Sequence, residues 1–285
     1  MKTSRRDFLI KSGLAIGSAS LISPLSFGYG MQNNGVGSYG FQVWTIRKKL
    51  IEDFPGTLKM MAGLGYKEVE MCSPLGYSMA GFKPLNEMSG SEMRKIIEDS
   101  GLECTSSHYT MGELRNSLDN RIEWTKQMGI KQIILSSFGL RKDASIDDFR
   151  KAADELNKIG EKTKAAGIQA GFHNHHGEFE KRGDELIYDA LLDELDPDLV
   201  KMQFQVAVVN IGYNASDYFR KYPGRFISAH LTDWSKQEEK TVPVGQGIID
   251  WKDFFKAAQE SGVKNVFVEQ SPDMFEDSAR FLTSL

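Results

Sequence analysis

Eight times between residue 41 and the C-terminus, a short apolar, strand-like stretch is followed by a longer segment with helical spacing. The strand-like stretches are residues 41–45, 67–71, 103–108, 132–136, 167–172, 200–207, 226–230 and 265–269. The helical segments are 52–64, 89–100, 114–128, 146–166, 185–195, 215–222, 251–261 and 275–285. Gly65, Gly101, Gly129, Gly167 and Gly262 stand where helices should stop, as a residue free to turn left-handed would. Unbroken strand–helix alternation implies a parallel sheet. Eight units of this kind close most naturally into a (β/α)8 TIM barrel, an α/β architecture of about 250 residues. A doubly wound open sheet is the alternative, but no Gly-x-Gly-x-x-Gly follows the first strand. A looser Gly/Pro-containing insert occupies residues 73–85.

The N-terminus is set apart from this rhythm. Ser4-Arg5-Arg6-Asp7-Phe8-Leu9 has the form of a twin-arginine export signal, and a mildly apolar run at 13–27 follows it. That run is too short and too rich in Ser and Gly for a good membrane-spanning helix. No small-x-small cleavage site is evident, so retention as an anchor stays open. The expected organisation is a signal segment at 1–30, a flexible lead-in at 31–38 and one barrel at 39–285, in a periplasmic or exported protein. The net charge is −4 with both signs interspersed and no basic tract, which argues against a nucleic-acid partner. Two cysteines do not make a disulfide framework. Cys72 and Cys104 should fall at opposite ends of neighbouring strands, too far apart to bond.

A barrel keeps its chemistry at the C-terminal ends of its strands. His108 ends the third strand, His173, His175 and His176 follow the fifth, and His230 ends the seventh, so all five histidines are expected on one rim. Glu70 ends the second strand and Glu269 the eighth. Alternation puts His173 and His175 on one face of their strand and Asn174 on the other. Two imidazoles so arranged either hold a divalent metal or move protons, or form a hydrogen-bonded structural pair. Glu269, after the apolar Val266-Phe267-Val268, needs a metal or an ion-pair partner to offset its burial. His230 shares its face with Ser228 and Thr232, and its structural reading is a hydrogen bond to Asp233. Glu70 has the better position for the rim, whereas Glu68, nearer the strand's start, reads as a surface charge. Gln205 is a neutral oxygen or a satisfied core amide. Trp44, Tyr109 and Trp234 are either walls for the apolar faces of a sugar or core packing. Gln246, in Val244-Gly245-Gln246-Gly247, stands in a loop where backbone can approach a ligand, or in a plain turn.

From Tyr39 to Leu285 the sequence resembles the sugar phosphate isomerase/epimerase family with the xylose isomerase-like barrel. The resemblance rests on Gly65-Tyr66-Lys67-Glu68-Val69-Glu70, Phe172-His173-Asn174-His175 with Glu178-Phe179, and Tyr222-Pro223-Gly224-Arg225 before Ala229-His230-Leu231-Thr232-Asp233. It continues through Val244-Gly245-Gln246-Gly247-Ile248-Ile249-Asp250-Trp251 and Val268-Glu269-Gln270. The resemblance implies one divalent metal ion held by Glu, Asp, His and Glu from strands five to eight. His230 and Glu269 match the last two positions, while His173 and Gln205 depart from the first two. The implied set is therefore His173, Gln205, His230 and Glu269, suited to Zn, Mn or Co.

Such a cation would stabilise the enediolate formed when a C–H proton beside a carbonyl is removed. Glu70 and His175 are the candidate proton-transfer groups, with His108 next as an acid or substrate ligand. The family includes keto-sugar lyases and dehydratases as well as isomerases. Export and the lack of a basic cluster on the rim point to an unphosphorylated small-molecule carbohydrate. The leading expectation is lyase or hydratase chemistry on a keto-sugar or glycoside such as a 3-keto-glucoside, with isomerisation or epimerisation by the same proton transfer as the alternative. A non-catalytic carbohydrate-binding protein would need no metal or base. An endonuclease of the same superfamily would need more metal ligands and a basic groove.

Overall fold

The computed structural model describes residues 38–285, in which eight parallel strands close into a barrel wrapped by helices. The strands are β1 (Tyr39–Gln42), β2 (Glu68–Cys72), β3 (Glu103–Tyr109), β4 (Gln132–Leu135), β5 (Gln169–His173), β6 (Val200–Gln205), β7 (Phe226–Leu231) and β8 (Asn265–Val268). Each pairs in parallel with its neighbours in sequence, and β1 pairs with β8 to close the ring. The twin-arginine motif and most of the lead-in lie outside the described residues. Among the described residues no helix is long and apolar enough to cross a membrane.

Strand alternation sorts the side chains into two cores. On β6, Phe204 turns outward into an aromatic cluster with Phe179, Tyr188, Tyr218, Phe219 and Phe226. Gln203 and Gln205 turn inward instead. Outward residues thus supply the apolar layer between strands and helices, while much of the barrel interior is polar. Gly171 of β5 admits Ile134 into that interior, since a Cβ there would sit 2.5 Å from Ile134 Cδ1.

The helices follow the predicted order with shifted ends. The helix expected at 52–64 is two, Arg47–Glu52 and Phe54–Gly63. They are divided at Asp53, whose carboxylate leaves the first helix and caps the second through the Gly56 N–H at 2.9 Å. The third helical element begins earlier than expected, at Met111, because the Thr110 hydroxyl caps it. The insert at 73–85 holds two short 3-10 turns, Ser78–Ala80 and Lys83–Leu85. A small hairpin, Asp233–Ser235 with Lys240–Val242, follows β7 where only a loop was expected. The five glycines predicted to end helices all have positive φ. Cys72 and Cys104 are free thiols.

Candidate active site

The polar interior is built in tiers. At the base, Glu68 accepts from Ser38 Oγ at 2.5 Å, Thr105 Oγ1 at 2.9 Å and Asn265 Nδ2 at 2.7 Å. Gln132 Nε2 joins the tier through Asn265 Oδ1 at 2.7 Å. The reading of Glu68 as a surface charge is therefore corrected: it is buried and plugs the barrel floor, because it shares the inward face with Glu70.

Two residues further along β2, Glu70 forms the middle tier. Its Oε1 accepts from Ser106 Oγ at 2.6 Å and Gln203 Nε2 at 2.7 Å. Its Oε2 lies 2.5 Å from His230 Nε2 and 3.2 Å from His108 Nε2. Burial opposes charge on Glu70, yet the two histidines outweigh it and hold the carboxyl well below the usual carboxylate range. His230 completes the ion pair. Burial disfavours its cation, but Glu70 on one nitrogen and Glu269 on the other, 3.0 Å from Nδ1, hold its pKa above that of a free imidazole. His230 therefore bonds to these two carboxylates, not to Asp233. Glu269 is in turn lowered, the His230 charge overcoming burial.

The top tier opens to solvent. A cavity of 290 Å³ lies at the C-terminal ends of the strands, bordered by His108, His173, His175 and Glu269 on one side and by Trp44, Tyr77 and Ser136 on the other. Among the described residues no lysine or arginine borders it. The His108 ring stacks on His230 with centroids 5.1 Å apart, and His173 lies 4.4 Å from His230 and 4.8 Å, edge-on, from His175. Four of the five histidines thus gather as expected. His176 stands outside, exposed, with Nε2 2.9 Å from Asn210 Oδ1.

Several expected roles change. Glu70, expected on the rim, has no exposed surface and lies inside the barrel against His230 and His108. Tyr109 is fully buried and bonds Thr125 Oγ1 at 2.6 Å in the outer layer, since alternation turns it away from the inward His108. Trp234 lies on the hairpin and Gln246 is exposed on its loop, and neither borders the cavity. Trp44 does border it, edge-on to Tyr77 and with the Arg47 guanidinium 4.2 Å from its ring centroid. The sequence reading missed Tyr77, which the insert carries over the mouth to bond Ser136 Oγ at 2.6 Å. It also passed over Gln203, although its two-residue spacing from Gln205 marks both as inward.

A divalent cation fits this donor set, in a different arrangement from the expected one. His108, His173 and His230 each bring a ligand atom within 4.8 Å of the others. His173 Nδ1 is buried with no hydrogen-bond partner among the described residues, and burial together with the adjacent imidazoles holds the ring's pKa well below that of a free imidazole. Gln205 instead turns its Nε2 to Glu269 Oε2 at 2.8 Å, and its Oε1 lies 3.3 Å from the Ala207 N–H. The three imidazoles that could hold a metal ion are thus His108, His173 and His230, while Gln205 bonds Glu269.

The family model described as xylose isomerase-like TIM barrel matches residues 58–285. The chain belongs to the xylose isomerase-like TIM barrel family. Within it, the sequence is 28% identical over 147 residues to the inosose dehydratase of Lacticaseibacillus casei, covering 45% of this chain but only 48% of that protein. It is also 28% identical over 222 residues to the inosose dehydratase of Clostridium perfringens, covering 63% of this chain and 74% of that one. The barrel superposes on a sugar phosphate isomerase/epimerase from Parabacteroides distasonis with a TM-score of 0.71 and 24% identity, over 86% of this chain and 93% of the other. Another structural neighbour, the IOLI protein solved with a bound zinc atom, superposes with a TM-score of 0.60 at 15% identity, over 87% and 95% of the two chains. Dehydratases and sugar isomerases thus share this scaffold.

Proposed function

We propose that this protein is a metal-dependent lyase that removes a proton beside the carbonyl of an uncharged keto-sugar or keto-glycoside and expels, or in reverse adds, an oxygen substituent on the neighbouring carbon. One observation carries the reading: His108, His173, His175 and Glu269 border a small cavity with His230 buried behind them, and among the described residues no lysine or arginine lines its wall. The dehydratase names of the sequence relatives support elimination as the outcome.

His108, His173 and His230, with Glu269 beside them, would hold the ion, zinc being favoured by the imidazole-rich donor set over manganese or cobalt. When bound, it would supply Lewis acidity to the substrate's carbonyl oxygen. His175 borders the cavity edge-on to His173 and is the side chain best sited to take the C–H proton or to return one to the departing oxygen. Glu269 keeps His230 oriented from the cavity side, and Glu70 does so from the interior. Trp44 and Tyr77 offer apolar surface to one face of a ring, and Ser136 offers a hydroxyl. At 290 Å³ the cavity is at the small end of ligand pockets, about 300 Å³, and suits one sugar unit. A phosphate would meet no countercharge there. The 3-keto-glucoside is the substrate this reading favours, and the twin-arginine motif supports a periplasmic or exported setting for the reaction.

The test is incubation with keto-sugars and 3-keto-glucosides in D2O, with zinc, manganese or cobalt added. Elimination should appear as an unsaturated product, and His175→Asn should lower the rate by at least about 100-fold. Deuterium incorporation with isomerised or epimerised product would make it an isomerase of the same mechanism. Sugar binding without exchange or turnover would sink the enzyme reading in favour of a carbohydrate-binding protein. Lysine replacement of Arg5 and Arg6, followed by cell fractionation, tests export.

A further inference from the structure

The polar contacts inside the barrel determine more than the position of His108. Gln203 is fully buried on β6 and spans the middle tier. One end of its amide lies 2.7 Å from Glu70 Oε1 and 2.9 Å from Ser228 Oγ; the other lies 2.7 Å from His108 Nε2. A carboxylate only accepts, so the end facing Glu70 is the NH2 group and the end facing His108 is the carbonyl oxygen. A carbonyl oxygen also only accepts. His108 Nε2 must therefore carry a proton; Glu70 Oε2, 3.2 Å from the same nitrogen, is the more distant acceptor and is not hydrogen-bonded to it. A neutral His108 ring then has its lone pair on Nδ1.

We propose that Gln203 is a positioning residue that locks His108 in the Nε2–H tautomer, so that Nδ1 is the atom it offers to a metal ion or a substrate proton. The logic runs from an acidic side chain to an amide to an imidazole: Glu70 orients Gln203, and Gln203 selects the tautomer. Ser228 and Ser106 hold the far side of the relay, Ser228 by accepting the second amide hydrogen and Ser106 by donating to Glu70. His230 receives no such instruction. Its two nitrogens face two carboxylates, so both donate, and it must release one before it can ligate anything. His108, by contrast, offers a lone pair without rearranging. The outer partner of a metal-binding histidine commonly sets its tautomer and basicity in this way, and its loss costs about 10–100-fold in metal affinity.

This inference uses the metal-binding reading for its consequence but not for its first test. In the full-length protein freed of metal by chelation and labelled with 15N-histidine, the His108 signals are identified by their loss in His108→Gln. At a pH where the ring is neutral, Nε2 should show the shift of a protonated nitrogen and Nδ1 that of a bare one. A bare Nε2 with a protonated Nδ1 would overturn the proposal in the wild-type protein alone, whatever the enzyme does. In Gln203→Met, of similar length and without either hydrogen-bonding end, the two nitrogens should move toward averaged shifts. Cobalt binding, followed by its visible absorption, should weaken by about 10–100-fold while the circular-dichroism spectrum is retained. Unchanged tautomer and unchanged cobalt affinity in a folded Gln203→Met would assign the selection to Glu70 alone and remove Gln203 from the role. Cobalt binding absent from wild type, with the predicted tautomer present, would defeat the metal reading and leave the tautomer assignment standing.

Discussion

Glu70 accepts from three side chains on three other strands, Ser106 on β3, Gln203 on β6 and His230 on β7, and lies at ion-pair distance from His108. Removing it leaves buried donors without an acceptor and a buried imidazolium with one counterion fewer. Breaking such a pair from one side typically costs about 3–5 kcal/mol. Glu70→Ala should therefore lower unfolding free energy by roughly that amount in urea titrations; a loss under about 1 kcal/mol would mean that water or rearrangement replaces the carboxylate. Glu113 makes a second residue-scale case, with the opposite sign. Burial pushes its carboxyl up to about 7, with Ser73 Oγ at 2.5 Å and Arg121 at 3.6 Å only partly opposing this. The fold thus favours the protonated acid. That contribution is complete below the unfolded value of 4.5 and is lost as pH rises through about 7. Glu113→Gln should gain on wild type by about 3 kcal/mol between pH 4 and pH 8, read from paired denaturation curves. A constant difference across that range would show that Glu113 titrates normally.

At the scale of elements, strand periodicity carried most of the legible information. It assigned His108, His173, His230 and Glu269 to one rim because a parallel barrel sends strand ends to one face. It also contained two answers that went unused: Tyr109 must face away from His108, and Gln203 must face the same way as Gln205. What periodicity could not supply was depth. Glu70 and Cys72 share a face of β2, but two residues advance about 6.6 Å along a strand, enough to separate a buried tie from the cavity wall. Nor could it reveal that the insert brings Tyr77 across to Ser136, a contact between residues 59 apart. The loop after β7 is a further case. Asp233 accepts from the N–H groups of Gly245 and Gly247 at 3.1 Å and of Ile249 at 3.3 Å, and from Trp251 Nε1 at 2.8 Å. The Val244-Gly245-Gln246-Gly247 stretch is thus wound around a carboxylate. A Cβ on Gly247 would sit 2.1 Å from Asp233 Oδ1, which explains the glycine without a ligand. Asp233→Ala and Gly247→Ala should both expose residues 243–250 to limited proteolysis, with a stability loss of about 2–4 kcal/mol for the former. Protection equal to wild type in both variants would refute this account of the loop.

For the whole molecule, the buried polar column from Glu68 to Glu269 matters because it runs where many barrels place apolar layers. Its upper half sets two carboxylates, Glu70 and Glu269, on either side of His230, and charges buried in low-dielectric surroundings are costly unless paired. His108, His173, His230 and Glu269 come from β3, β5, β7 and the end of β8, so a cation joining them would tie the barrel together across its full width. Because the unfolded chain has no such site, binding free energy becomes folding free energy. At one hundred times the dissociation constant the gain is about 2.7 kcal/mol, which for a domain of this size raises Tm by about 5–10 °C. Thermal unfolding of the chelated protein with and without zinc, manganese and cobalt measures this directly. Magnesium and calcium, which prefer oxygen donors, should give little or no shift. His173→Ala should abolish the gain, because it removes the imidazole whose buried Nδ1 has no hydrogen-bond partner among the described residues, whereas Gln205→Leu should weaken it only through the lost hydrogen bond to Glu269. A cation-induced shift that survives His173→Ala but vanishes in Gln205→Leu would reverse the assignment and return the ion to the position first expected from strands five to eight.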